Sequence, residues 1–197
     1  MKPLSSTDGL PIGPDRIGFR PVTADDYDLL GDWMGRPHWR EWWGDIETEL
    51  GYIRDMVEGR DSTRPFLFLL DGRPAGYIQS WRVSDNLVEP WISKAPWLFD
   101  VPADGIGVDL SVGVETDLGK GLGTAALKAF LRKLAREGHR NIIIDPDAAN
   151  ARAIRAYEKA GFMPLLVAPD PDDASGRKTL IMHLETGGDP EQPEIGS

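Results

Sequence analysis

A glycine-rich loop between a strand and a helix is the feature that most constrains how this chain can fold. The loop is Asp117-Leu-Gly-Lys-Gly-Leu-Gly-Thr124, in which Gly119, Gly121 and Gly123 fall within five residues. Glycines let the backbone turn tightly and expose its N–H groups without interference from a Cβ atom. A helix that starts there adds free N–H groups and a partial positive charge, which attract phosphate oxygens. The loop therefore indicates a pyrophosphate-binding site, and a plain structural turn is the alternative.

Two widespread nucleotide-binding motifs do not fit this loop. A P-loop requires Gly-x-x-x-x-Gly-Lys-Ser/Thr, whereas here Lys120 precedes the second glycine and Thr124 directly follows Gly123. A dinucleotide-binding βαβ unit requires Gly-x-Gly-x-x-Gly near its start. This loop has Gly-x-Gly-x-Gly and lies past the middle of the chain. The interpretation that remains is a cradle for the pyrophosphate of an acyl-CoA.

Hydrophobic periodicity around the loop predicts alternating strands and helices. Residues 106–114 alternate apolar side chains with Gly107, Asp109, Ser111 and Gly113, a pattern typical of a strand. The following segments predict a helix, a covered parallel strand, a helix capped by Asn150 and two closing strands, at 121–137, 141–145, 150–161, 162–167 and 178–185.

The first half of the chain predicts further elements of the same sheet. We expect a strand, a helix capped by Thr23, a tryptophan-rich turn, a second helix and a hairpin with an Asp-Gly turn, at 17–20, 23–34, 36–44, 47–58 and 65–83. A long loop over 84–105 and a disordered acidic tail over 187–197 complete the chain. The prediction is one α/β domain over residues 1–186, built on a mixed (α+β) sheet.

Five short segments resemble, in the same order, the aminoglycoside 6'-N-acetyltransferases of the GNAT N-acetyltransferase superfamily. They are Arg40-Glu-Trp-Trp-Gly44, Gly76-Tyr-Ile-Gln-Ser80, Leu118-Gly-Lys-Gly-Leu-Gly-Thr124, Asp145-Pro146 and Arg152-Ala-Ile-Arg-Ala-Tyr-Glu-Lys-Ala-Gly-Phe162, within roughly Arg16 to Glu185. The superfamily's phosphate loop is usually Gln/Arg-x-x-Gly-x-Gly/Ala, so Leu118 departs from it. The resemblance implies the GNAT fold, a splayed mixed β-sheet with helices on both faces that opens between the strands of Asp109 and Ile142.

The same resemblance implies a site for acetyl-CoA as co-substrate, with no metal. The pyrophosphate would lie on the loop residues Leu118, Gly119, Lys120, Gly121, Leu122, Gly123 and Thr124. Asn150 would touch the pantetheine arm as well as cap its helix. Tyr157 would donate a proton toward the CoA sulfur. The alternative for Tyr157 is a packed aromatic side chain that shares the inner face of its helix with Ile154.

The resemblance also places two carboxylates in an amine-binding pocket. Asp109 would hold the ammonium group of the acceptor and could deprotonate it, and the glycines beside it would leave room for a ligand. An exposed polar face of an edge strand is the alternative. Asp145 lies where its strand ends, the edge at which ligands collect in open sheets. Its alternative is the start of an Asp-Pro turn.

Further residues extend this expected acceptor site. Trp42 and Trp43 would wall a cleft for a sugar, since an indole offers an apolar face and one N–H donor. At least one of them is expected to pack into the core instead. Asp100 and Asp104, in the loop before Asp109, would add to an acidic rim.

Charge and cysteine content narrow the function classes. The formal net charge of −10 repels nucleic acid and anionic membranes and would attract a cationic substrate, although solubility alone also explains it. With no cysteine, disulfides, thiolate metal sites and a cysteine nucleophile are excluded, so we expect direct transfer without a covalent enzyme intermediate. His38, His139 and His183 show no metal-ligand spacing.

The absence of an apolar run of about 18 residues, and of an apolar core in the first residues, predicts a cytoplasmic protein. The sequence leaves open whether it is a monomer or a homodimer. The expected reaction is N-acetylation of a primary amine on a polycationic small molecule, foremost the 6' amine of an aminoglycoside. The alternatives are an acetyltransferase for a hydroxylysine-type siderophore precursor or a peptide amine, and an acyl-CoA-binding module without turnover.

Overall fold

The computed structural model describes residues 12–169 and 176–187. Its centre is a sheet of seven strands in the order β1-β2-β3-β4-β5-β7-β6. The strands are β1 (Ile17–Pro21), β2 (Arg64–Leu70), β3 (Arg73–Arg82), β4 (Ile106–Val112), β5 (Asn141–Ile144), β6 (Met163–Pro169) and β7 (Lys178–Glu185). The helices are α1 (Tyr27–Met34), α2 (Pro37–Arg40), α3 (Ile46–Val57), α4 (Trp91–Lys94), α5 (Leu122–Arg136) and α6 (Ala151–Ala160).

Helices cover both faces of the sheet, as predicted. Side chains alternate along β2, so Phe66 and Phe68 pack on one face with the apolar stripe of α5, and Leu67 packs on the other face with α1 and α3. The inner stripe of α5 faces the core, because its members are almost fully buried: Leu122, Ala126, Phe130 and Leu134.

The sheet opens between its two central strands. The pairs Ile106–Ile142 and Gly107–Ile143 are the only ones that join β4 to β5 in parallel, whereas β4 pairs with β3 along its whole length among the described residues. Asp109 lies two residues beyond the last of these pairs, and Asp145 directly follows β5. The splay predicted between these strands is confirmed, and it brings the two carboxylates to one opening.

Local turn chemistry agrees with the sequence patterns. The β2–β3 hairpin turns through Asp71 (φ 50°) and Gly72 (φ 79°), values that two-residue hairpin loops require. Asn150 caps α6 by accepting a hydrogen bond from the N–H of Ala153 at 3.1 Å, and Gly161 ends that helix in the left-handed region (φ 107°).

Two segments predicted as irregular contain short helices. The tryptophan-rich turn includes α2, and the long loop over 84–105 includes α4. This loop is ordered because Trp97, Leu98 and Val101 are buried against Ile143 of β5. Residues 188–197, most of the predicted acidic tail, and residues 1–11 lie outside the described part of the chain. Within that part, no helix has both the length and the apolar character needed to cross a membrane.

Candidate active site

The glycine-rich loop enters α5 with its backbone N–H groups exposed. Gly119 (φ 74°) and Gly121 (φ 84°) have left-handed backbone conformations, and a Cβ atom built on either would meet nothing within 4 Å. These two glycines are therefore required by backbone conformation rather than by crowding. No described residue accepts a hydrogen bond from the N–H groups of residues 119–124. An anion at this helix start would satisfy several of them at once.

This loop lines the first of three adjoining cavities, with a volume of about 420 Å³. The other walls come from β4, from α6 and from the segment around α2. Gly119, Gly121, Gly123, Thr124 and Leu118 line it, as does Asn150. Leu122 faces the core with 1 % exposure, so its side chain cannot take part. Neither Leu122 nor Lys120 is among the described residues that line the cavity.

Three basic side chains of α6 also line the first cavity: Arg152, Arg155 and Lys159. These three residues were not predicted from the sequence as candidate site residues. Their spacing of three and four residues places them on one face of a helix, and that periodicity is the signal that could have identified them. Together with the loop N–H groups they make this cavity suited to a ligand that carries several phosphates.

Tyr157, on the same helix, lies where the cavities meet. It is partly buried, packs against the core with Ile154, and its ring centre is 6.4 Å from that of Phe162. Burial raises the pKa of Tyr157, and the charges of Asp109 and Asp145 raise it further. Its hydroxyl therefore keeps its proton at neutral pH. The packed position and the role of proton donor that the sequence analysis set against each other are compatible, because the ring can pack while the hydroxyl reacts.

Asp109 is held by two donors from the neighbouring strand. The side chains of Gln79 and Trp81 donate to its Oδ2 atom at 2.8 Å and 3.0 Å. Burial raises the pKa of Asp109, and these two hydrogen bonds oppose that rise. Gln79 belongs to the Gly76-Tyr-Ile-Gln-Ser80 segment, but sequence alone gave no reason to single it out.

The expectation that Gly107 leaves room for a ligand beside Asp109 is wrong. A Cβ atom at Gly107 would lie 2.0 Å from the indole of Trp81. The glycine is needed because the indole lies flat on the backbone, and this position brings its Nε1 atom to Asp109. Gly113 is covered in the same way by Trp33. This face of β4 is therefore partly closed by aromatic side chains.

Asp145 shares a second cavity, of about 320 Å³, with Asp109. Burial raises the pKa of Asp145 well above its usual range, and the charge of Asp109 adds to this effect. Two carboxylates in this position resist simultaneous ionisation unless a cation joins them. Glu49 of α3 and Asp61 line the same cavity. Among the described residues that line it, Lys94 is the only basic one.

Glu49 was missed by the sequence analysis. It is partly buried, and the N–H of Gly44 donates to its Oε1 atom at 3.2 Å. A Cβ atom at Gly44 would lie 2.5 Å from that oxygen, so the glycine that ends the Arg40-Glu-Trp-Trp-Gly44 segment permits this approach. Burial raises the pKa of Glu49, the hydrogen bond from Gly44 lowers it, and the charges of Asp109 and Asp45 raise it.

Aromatic rings form the remaining walls of the second cavity: Trp43, Tyr52, Trp81, Trp91 and Trp97. Trp43 lines all three cavities and also packs on the core, with its ring centre 5.0 Å from that of Trp39. Trp42 lines the first and third cavities, and its buried Nε1 atom has no hydrogen-bond partner in the described part of the chain. Trp43 lines the second cavity and is the tryptophan that joins the core, whereas Trp42 does not line that cavity.

Asp100 and Asp104 do not lie with the other carboxylates. Both are exposed, and neither is among the described residues that line the three cavities. The Nδ2 atom of Asn141 donates to Asp104 at 3.0 Å. Asn141 is the first residue of β5, and Asp145 follows its last residue. Asp104 therefore lies at the opposite end of β5 from Asp145.

The third cavity, of about 330 Å³, lies at the junction of the other two. It shares Trp42, Leu110, Asn150 and Tyr157 with the first cavity, and Glu49, Gln79, Asp109 and Asp145 with the second. A proton donor and four carboxylates, those of Glu49, Asp109, Asp145 and Asp147, are therefore collected between a basic cavity and an acidic one. No group of three or more His, Asp or Glu side chains within residues 12–169 and 176–187 is placed to hold a metal ion.

Comparisons with known proteins identify relatives of both the sequence and the structure. A family model described as an acetyltransferase (GNAT) domain matches residues 22–166. An aminoglycoside N(6')-acetyltransferase type 1 from Klebsiella pneumoniae is 34% identical over 155 residues, 75% of this chain and 74% of that protein. A solved structure of AAC(6')-Ib with paromomycin and acetyl-CoA has a TM-score of 0.72 and 31% identity, covering 87% of this chain and 94% of that one. A structure of AAC(6')-Ib with coenzyme A and kanamycin has a TM-score of 0.70 and 30% identity, covering 86% and 94%.

Proposed function

The chain belongs to the GNAT acetyltransferase family, and on that basis we propose that it transfers the acetyl group of acetyl-CoA to a primary amine of a polycationic sugar. The acceptor we favour is an aminoglycoside, acetylated at its 6' amine. Structures of a similar protein with kanamycin and coenzyme A, and with paromomycin and acetyl-CoA, support this acceptor class.

The observation that carries the proposal is the separation of charge along three adjoining cavities. The first has three cations of α6 and the free N–H groups of the loop, which suit the phosphates of CoA. The second has four carboxylates and aromatic walls, which suit an amine-bearing sugar. The net charge of the chain is −10, yet cations are concentrated at one cavity. The anionic cofactor and the cationic acceptor would therefore bind at cavities of opposite charge.

The junction residues supply the proton transfers that the reaction needs. Asp109 holds the ammonium group of the acceptor and accepts one of its protons, so the nitrogen gains a free lone pair. The nitrogen then forms a bond to the acetyl carbonyl carbon while the bond from that carbon to sulfur breaks. Tyr157 donates its hydroxyl proton to the departing sulfur, and the second proton that the nitrogen loses as it becomes an amide restores the Tyr157 hydroxyl. Acetyl-CoA contributes the thioester when bound, and the chain itself forms no covalent bond to the acetyl group.

Asp145 and Glu49 stabilise the remaining positive charges of the acceptor. Exposed carboxylate–ammonium contacts are worth about 1 kcal/mol or less each, and contacts from which water is excluded are worth more. Three or four such contacts, with an aromatic wall, can reach micromolar binding, which corresponds to about −8 kcal/mol. Such binding weakens modestly with added salt, because the long-range attraction of a polycation to the acidic cavity is screened within about 8 Å at physiological ionic strength, whereas contacts inside the cavity are screened less.

A panel of amines with acetyl-CoA tests the proposal. We expect turnover with kanamycin and tobramycin and an acetyl group on the 6' nitrogen, located by NMR of the product. Acetylation of a singly charged amine, a lysine-type siderophore precursor or a peptide amine, with none of the aminoglycosides, would overturn the acceptor class but not the reaction. Binding of acetyl-CoA without any product would instead favour a non-catalytic module.

A further inference from the structure

Three side chains on one face of β3 form a chain of contacts that ends at Asp109. Tyr77, Gln79 and Trp81 are each two residues apart, so they project from the same side of the strand. The antiparallel register places Tyr77 opposite Ser111, Gln79 opposite Asp109 and Trp81 opposite Gly107. Because Gly107 has no side chain, the Trp81 indole can lie toward Asp109.

The two donors of this chain converge on one oxygen of Asp109. The Nε2 atom of Gln79 and the Nε1 atom of Trp81 both donate to Oδ2. No described residue donates a hydrogen bond to Oδ1. The two oxygens of this carboxylate are therefore chemically different before any ligand binds, since a proton on Oδ2 would collide with two existing donors.

Tyr77 determines which way the Gln79 amide points. Its side chain is fully buried, and burial raises the pKa of Tyr77 well above its usual range, so the hydroxyl keeps its proton. The hydroxyl donates to Oε1 of Gln79 at 2.6 Å, and Met56 Sδ at 3.8 Å is a more distant acceptor. With Oε1 fixed in this way, the NH₂ group faces Asp109. The reversed amide would place Oε1 against Oδ2, and two acceptors would then face each other.

We propose that Tyr77 is a positioning residue which, acting through Gln79, reserves Oδ1 of Asp109 for the acceptor amine. Tyr77 is not among the residues that line the three cavities, so it would influence the reaction without touching the acceptor. Oδ1 then takes the proton as the N–H bond of the ammonium breaks. The carboxylate becomes a carboxylic acid, and the nitrogen keeps the electron pair. This role rests on the proposed function, in which Asp109 is the group that accepts the proton.

Other charged groups face Asp109 and must be unchanged in a test. Glu49 of α3, Asp145 and Asp147 after β5 and Tyr157 of α6 lie around the junction, and Asp61 and Lys94 line the same second cavity. Tyr77→Phe removes one hydroxyl and alters none of these charges. A change in the titration of Asp109 in that variant therefore reports the lost hydrogen bond.

The first experiment compares Tyr77→Phe with Tyr27→Phe. Tyr27 packs against the same core cluster but lines none of the three cavities. In Tyr77→Phe we expect kcat to fall about tenfold, the KM for acetyl-CoA to stay unchanged, and the acid limb of kcat/KM to move to higher pH by roughly half a unit. The sign follows because a weaker donor to the ionised carboxylate raises its pKa. An unchanged acid limb, or equal effects in Tyr27→Phe, would overturn the proposal.

A double-mutant cycle tests whether Tyr77 acts through Gln79. Gln79→Met keeps the length of the side chain and removes its donor. We expect Tyr77→Phe to add no further shift of the acid limb in that background, whereas additive shifts would contradict the relay.

Carbon-13 NMR of the Asp109 carboxyl, assigned by its loss in Asp109→Asn, gives the same titration without any acceptor. A raised pKa in Tyr77→Phe supports the relay even if no aminoglycoside is acetylated. An unchanged pKa overturns the relay whatever the acceptor proves to be.

Discussion

Tyr157, Asp109 and Asp145 have protonation states that depend on where they are buried. Burial first, and the two carboxylate charges second, raise the pKa of Tyr157, which keeps it a proton donor. Ionisation of one of these carboxylates disfavours ionisation of the other, since the pKa of Asp145 is raised by burial and by the charge of Asp109. A bound, multiply charged amine makes ionisation of both carboxylates more favourable. Acceptor binding therefore changes the proton affinity of these side chains.

Replacing the Tyr157 hydroxyl should affect turnover far more than binding. In Tyr157→Phe the ring still packs near Phe162, so we expect the fold and the KM for acetyl-CoA to persist. Loss of a general acid typically lowers turnover by about 10²–10⁴-fold. Steady-state kinetics with acetyl-CoA and an aminoglycoside measure this separation. Equal loss of turnover and of cofactor affinity would mean that Tyr157 acts through packing.

Neutralising Asp145 should weaken acceptor binding selectively. Asp145→Asn keeps the shape of the side chain and removes its charge from the second cavity. We expect the KM for kanamycin or tobramycin to rise about tenfold, equivalent to 1.4 kcal/mol, while the KM for acetyl-CoA stays the same. Asp100→Asn is the matched control, because that exposed carboxylate lines none of the three cavities. A similar rise in the control would point to the general field of the protein rather than to a contact.

The glycine-rich loop, α5 and α6 together line the first cavity, where the proposed function places the phosphates of CoA. Both helices begin beside the first cavity, α5 at Leu122 after Gly121 and α6 at Ala151 after Asn150. Their N-terminal dipoles and the cations of α6 add at the same place. The left-handed conformation of Gly121 aims the first turn of α5 at that cavity, so a side chain there would affect both the backbone and the ligand.

Gly121→Asp should abolish acetyl-CoA binding. The substitution puts a side chain at a φ of 84° and a negative charge among the loop N–H groups. Gly138→Asp is a control with similar backbone strain, since Gly138 lies beyond the other end of α5 at φ 89°. Calorimetric titration should show acetyl-CoA affinity at least about 100-fold weaker in the first variant and near wild type in the second. Unimpaired binding by Gly121→Asp would remove the loop from the cofactor site.

Elements were predictable from the sequence where their signals are local. The Asp71-Gly72 turn, the caps of α6 and the stripe of α5 each depend on residues within a few positions of one another. The contacts around Asp109 were not predictable in this way. Trp81 covers Gly107 from a different strand, and Glu49 arrives from a helix 60 residues earlier in the chain. Such juxtapositions are set by register and packing, which a single sequence does not display. The prediction for Asp104 was wrong for the opposite reason. Asp104 is close to Asp109 in sequence, but it lies beside Asn141, at the other end of β5 from Asp145.

The buried carboxylates of the acidic cavity lower the stability of the folded protein. Asp145 has a raised pKa in the fold, so between its unfolded and folded pKa values the folded protein holds more protons than the unfolded chain. Stability therefore decreases as pH rises through that window, and the full cost is present above the folded pKa. A bound polycation offsets this cost.

Asp145→Asn should accordingly be more stable than the wild type at about pH 8 when no ligand is present. Because the amide does not titrate, we expect a melting temperature about 2–4 °C higher there, and a smaller difference near pH 3, below the unfolded pKa of about 3.9, where the wild-type carboxyl is mostly protonated in both states. Thermal unfolding followed by circular dichroism at both pH values measures the effect. A variant less stable than the wild type at both pH values would indicate that Asp145 has a structural role.

The two-pair contact between β4 and β5 has a kinetic consequence. Beyond Gly107, β4 is bonded to β3 on one side and faces an opening on the other, so the middle of the sheet contains what is in effect a free edge. Sheet edges exposed to solvent tend to pair with other chains. The β4 edge lies at the bottom of a cleft, and this position prevents such pairing. Amide hydrogens that point into the cleft should exchange with deuterium faster than those of β2 and β3, and slow down when acetyl-CoA is added. The most central strand would then be among the least protected parts of the free protein.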